Sequence, residues 1–135
     1  MDWEAAFLND RYADLAVVAN LVVANDADER IYLAQYFGQP PDRYQLARFF
    51  VMQQVVHLFY AIVYLLLGSS AKPIDWSETV PEFRDFHRRI WAGEVDLADN
   101  HTKSVYGRVN RERLLQNMRH ARFHEALRII SDRPA

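Results

Sequence analysis

The stretch PDRYQLARFFVMQQVVHLFYAIVYLLLG, Pro41 to Gly68, constrains this chain more than any other. It carries no Gly or Pro between Asp42 and Leu67, and from Phe49 onward apolar residues occupy nearly every side of each turn, the pattern of a helix surrounded by protein. At 1.5 Å per residue such a helix runs about 40 Å, enough to cross a domain. Gly68, followed by Ser69 and Ser70, is expected to end it in a left-handed cap. Phe49 to Leu67 approaches the length of a membrane span. Two glutamines, a histidine and two tyrosines lie inside those residues, so a buried core helix is expected instead, with no membrane span.

One line interrupts the apolar pattern. Gln53, His57, Tyr60 and Tyr64 are spaced four, three and four residues apart and share one helix face. Each has a polar tip that is costly to bury alone. The stripe therefore either meets polar partners on neighbouring helices or walls a ligand site.

The remaining chain reads as shorter helices. Tyr12 to Val23 follows a turn at Asn9-Asp10, with Leu15, Val18 or Ala19, and Val22 on one side and Asp14 in the first turn. Asn25-Asp26 offers the next cap, with Glu29 at capping-box spacing from Asp26, before Ile31, Leu33, Ala34 and Phe37 and a stop at Gly38. A helix starting near Ser77 to Pro81 should carry Phe83, Phe86, Ile90 and Trp91 inward and end at Gly93. Leu97 to Met118 continues with Gly107 as a weak point, and Arg122 to Ile130 closes the chain. No strand alternation appears after residue 10. The expected fold is all-α: one domain, residues 1–135, of about six helices around the long central one.

Composition excludes several functions. With 16 basic and 18 acidic residues the net charge is −2, which gives no general attraction to nucleic acid. The bases that concentrate after His101 are interleaved with core positions and form no run. No cysteine is present, so disulfides and thiolate metal sites are excluded. Acids stand at the N-terminus where a secretion signal needs bases, and the expected location is cytoplasmic. Asp2, Glu4, Asn9, Asp10 and Asp14 make the densest oxygen-rich constellation, of a kind that suits Mg²⁺ held with substrate phosphates, although acids at a helix start usually cap or stay solvated. His120 and His124 have metal-ligand spacing without the adjacent Glu or a third ligand, and read as a solvated face.

MDWEAAFLNDRYADLAVVAN resembles the metal-binding segment of the choline and ethanolamine kinases and the related aminoglycoside-phosphotransferase-like enzymes. YLAQYFGQPPDRYQLARFF, VVHLFYAIVYLLLG, EFRDFHRRIWAGEVDLADN and RLLQNMRHARFHEALRIISDR resemble the segments that follow, in the same order. The resemblance implies the C-terminal helical lobe of an ATP- and Mg²⁺-dependent kinase of small alcohols such as choline or ethanolamine. Asp2 would hold Mg²⁺, and Asn9 and Asp14 would support the turn and helix behind it. Gln53, His57, Tyr60 and Tyr64 would line the substrate pocket. His57 and Tyr60 stand where family members often carry two tryptophans of a cation-binding cage, which puts choline itself in question. The nucleotide-covering lobe and the His-x-Asp catalytic loop would precede Asp2. No catalytic residue is therefore assigned, and this chain by itself is not expected to phosphorylate anything or to need a cofactor. A partner lobe, self-association, or a non-catalytic helical module that binds a partner are the alternatives that follow.

Overall fold

The computed structural model describes residues 10–69 and 72–133. These form six helices: α1 (Arg11–Val22), α2 (Asp26–Phe37), α3 (Arg43–Gly68), α4 (Phe83–Trp91), α5 (Asn100–Arg119) and α6 (Ala121–Ser131), with no strand among the described residues. The all-α, single-domain expectation holds.

Each helix starts where a side chain can take an otherwise orphaned amide. Asp10 accepts from Tyr12 N, Asn25 from Asp28 N, Glu82 from Arg84 N and Asp99 from Thr102 N. α3 opens on a full capping box: Asp42 accepts from Gln45 N at 2.7 Å while Gln45 accepts from Asp42 N at 2.9 Å. The box expected at Asp26 and Glu29 does not form. Asn25 is the cap, and Glu29 turns inward to be almost fully buried.

α3 is the central element. Phe49 and Val56 pack with Tyr12, Leu15 and Ala19 of α1 and Leu33 of α2; Phe50 and Ala47 meet Ala126 of α6; Tyr60 and Tyr64 join Phe83, Phe86, Tyr106 and Val109 of α4 and α5. One flank stays open, contrary to the expectation of burial all round. Val55, Phe59, Ile62 and Leu66 lie along it at helical spacing, Phe59 60% and Leu66 69% exposed. Trp91, expected in the core, is 71% exposed, and only its Nε1 engages, donating to Leu21 O at 3.0 Å.

The most extensive packing is α3 against α5, and glycines make it possible. A Cβ on Gly107 would stand 2.8 Å from Leu65 N and 3.2 Å from Ala61 O; one on Gly68 would stand 2.6 Å from Ser104 N and 2.9 Å from Asn100 O. Gly68 is thus a packing residue, not the expected left-handed cap: it is the last helical residue, and Ser69 follows with φ −77°. The glycines with positive φ are Gly38 and Gly93.

Gly107 supplies a test of sign. In a solvent-facing helix Gly→Ala gains about 1 kcal/mol, whereas overpacking against backbone costs about 1–3 kcal/mol. Gly107→Ala is expected to lower stability in urea denaturation, and a gain would contradict the close crossing.

Candidate functional site

Beside α3, near its middle, the helices leave a polar cavity of about 250 Å³. Asn20 of α1, Asp26 and Glu29 of α2, Gln53 and His57 of α3, Arg84 of α4, and Arg113 of α5 face it, and Arg122 closes one side from α6.

Its charges are organised as pairs. Glu29, 4% exposed, takes Arg122 Nη2 at 2.8 Å, and the Arg122 guanidinium lies 4.1 Å from the Phe50 ring centre. Such a buried carboxylate persists because its partner neutralises it. Arg84 reaches Asp26 at 3.4 Å. Arg113 donates Nη1 to Glu82 at 2.9 Å, and burial holds its guanidinium below the usual arginine range. Glu82 is not part of the cavity wall, which therefore carries three guanidiniums against two carboxylates.

His57 is 2% exposed and its tautomer is fixed by its neighbour. Asn110 Nδ2 donates to Tyr106 O at 3.0 Å, so Asn110 Oδ1 is the atom 3.0 Å from His57 Nδ1 and receives a proton from it. The lone pair then sits on Nε2. Burial pushes the His57 pKa down to about 4, with smaller contributions from Arg113 and His87, against the opposing pull of the Asn110 hydrogen bond. The ring is neutral at pH 7. Behind it the Phe83 ring stands edge-on to His57 at 4.6 Å and 4.3 Å from His87, whose Nε2 is 2.9 Å from the Tyr106 hydroxyl. Burial pushes His87 down to about 4 as well.

The predicted stripe divides. Gln53 and His57 reach the cavity, Gln53 Nε2 donating to Asn20 Oδ1 at 3.3 Å. Tyr60 and Tyr64 do not line it: they pack with Tyr106, centroids 6.2 and 4.7 Å away, in the aromatic cluster farther along α3. Asp14 is exposed in the first turn of α1. Asp2 and Asn9 lie outside the described residues, and so does any metal geometry there. Among the described residues no three His, Asp or Glu side chains gather as a metal site. His120 caps α6, its Nδ1 accepting from Arg122 N at 3.1 Å.

The reading of the sequence passed over Asn20, Glu29, Arg113 and Arg122. A signal existed for one: Arg113 stands four residues after Val109 and seven after Tyr106, on the buried face of α5. Two buried nitrogens of lining residues, Asn20 Nδ2 and Arg113 Nε, have no hydrogen-bond partner among the described residues. Such atoms are uncommon in native interiors and mark a place where an acceptor belongs.

The chain matches no protein-family model, no curated protein and no solved structure.

The depressed histidine sets a pH dependence. The unfolded His57 titrates near 6.5 and the folded one near 4, so its stabilising contribution is complete above about pH 6.5 and is lost as pH falls toward 4. Two to three pKa units correspond to about 3 kcal/mol. Urea midpoints should fall steeply between pH 6.5 and 4, less so in His57→Gln, with His87 supplying the remaining slope; a flat profile would contradict the burial of both rings.

Proposed function

We propose that this chain is the substrate-binding helical part of an ATP-dependent phosphotransferase acting on the hydroxyl of a small molecule, and that the cavity walled by Gln53 and His57 receives the alcohol. The observation that carries this reading is that the central helix places two residues of its polar stripe, Gln53 and His57, in a cavity holding unmet hydrogen-bond donors. The resemblance of the successive segments to the choline and ethanolamine kinases agrees with it. α3 is read as a core helix rather than a span because Gln54 and His57 meet Asn117 and Asn110 of α5, each at 3.0 Å.

The chemistry of the site assigns it to positioning. His57 Nε2 is a neutral acceptor for a substrate hydroxyl. A base whose conjugate acid titrates near 4 removes few protons at pH 7, so His57 orients the hydroxyl and the base comes from elsewhere. Orientation is the larger part of phosphoryl transfer. Mg²⁺ would be held at Asp2 together with the ATP phosphates, and the expected location remains the cytoplasm. The test is NMR titration of the full chain with millimolar small alcohols, charged and uncharged. At least one should give saturable shifts of the Gln53 amide and His57 ring signals, reduced at least tenfold in apparent affinity by His57→Ala. No response to any of them would overturn the reading.

A separate observation favours self-association as the second reading. Val55, Phe59, Ile62 and Leu66 form an exposed apolar stripe, a surface that monomers seldom leave open and that a second copy can cover by symmetric packing. Sedimentation at increasing concentration should show a dimer that Phe59→Glu removes. A monomer throughout would count against this reading.

A further inference from the structure

Resting on the reading of the cavity as a substrate pocket, we propose that its ligand carries an anionic oxygen group, a carboxylate or a phosphate, seated against Arg113 and Asn20, with its hydroxyl toward His57.

The charges of the wall point to an anion. Both carboxylates in it are already engaged, Asp26 with Arg84 and Glu29 with Arg122. Arg113 is different. Its partner Glu82 is 49% exposed, lies outside the wall and meets only Nη1, while Nε has no acceptor. Asp26 and Glu29 also attract Arg113, but each is hydrogen-bonded to another arginine, and a guanidinium presents Nε–H to a carboxylate or phosphate as one tooth of its planar fork.

Asn20 adds an independent observation on the opposite helix. The residue is 8% exposed; its Oδ1 is occupied by Gln53 and its Nδ2 has no partner. Both unmet groups are donors. Both belong to side chains that line the cavity, where a bound oxygen would meet them on rotation of those side chains. His57 Nε2, the unprotonated ring nitrogen of this tautomer, suits a hydroxyl proton. A hydroxy acid or a phosphorylated alcohol meets all three demands. The quaternary ammonium group of choline satisfies neither donor, since it accepts no hydrogen bond, and it brings positive charge toward three guanidiniums. The aromatic rings in the wall, Phe50 and Phe83, already face the Arg122 and Arg113 guanidiniums, and Tyr60 and Tyr64 belong to the cluster around Tyr106.

The experiment is calorimetric titration of the full chain with glycolate, inorganic phosphate, ethanolamine and choline at low salt. Glycolate or phosphate should bind at least tenfold more tightly than either amine; comparison of the two anions tells which group the pocket prefers. Asn20→Asp, which changes charge but not volume, should weaken the preferred anion at least tenfold and lift ethanolamine relative to it. Arg113→Lys should weaken anion binding similarly while far-ultraviolet circular dichroism stays unchanged. Amines binding more tightly than both anions would overturn the anionic assignment and leave the substrate-pocket reading standing. Binding of none of the four would overturn the assignment, and silence from every alcohol in the NMR titration would remove the pocket reading beneath it.

Discussion

The close crossing of α3 and α5 is the constraint on which the other features depend. Gly68 on one helix and Gly107 on the other let backbone approach backbone, with no room for a Cβ at either position. At that separation short polar side chains can span the interface, and they do so in two places: His57 to Asn110 and Gln54 to Asn117, each 3.0 Å. Apolar packing alone leaves the axial register of two helices loosely specified. These buried links fix it, because a shift of one turn would strand four polar groups without water.

From that register the cavity follows. With His57 held against α5, it and the neighbouring Gln53 line the cavity together with the buried Asn20 of α1 and Glu29 of α2. Arg113, one turn beyond Asn110 on α5, is carried to the same place. The site is therefore a by-product of helix geometry more than of any loop: residues from all six helices and from the α5–α6 corner converge because one interface sets where each helix lies. The chain His57, Asn110, Tyr106, His87 extends the polar interior from the cavity to α4. Its two neutral histidines trade stability in acid for a fixed hydrogen-bond order at neutral pH.

Much of the fold was legible in the sequence. The stretch free of Gly and Pro gave α3 to within two residues, and Asp10, Gly38 and Gly93 mark boundaries through local chemistry that needs no knowledge of neighbours. What escaped was tertiary in origin. Gly68 looked like a cap because a glycine before two serines usually is one; only the position of Ser104 makes it a packing residue. Glu29 sat at capping spacing, and the guanidinium that buries it is 93 residues away. Gln53, His57, Tyr60 and Tyr64 do share a face, but eleven residues of helix separate the ends by about 16 Å. Periodicity reports the face and not the distance along it. The first two residues therefore reached the cavity and the last two the aromatic cluster, in positions where the family resemblance would have placed one continuous pocket.

The cavity depends on the His57 ring, held by α5 through Nδ1. Long-range nitrogen–proton correlation NMR on the side-chain imidazoles reads this directly. The expected result is a His57 locked as the Nδ1–H tautomer at pH 7 and still neutral at pH 5, with that tautomer no longer locked in Asn110→Ala. A His57 that exchanges between tautomers, or that titrates near 6.5 like an exposed imidazole, would contradict it.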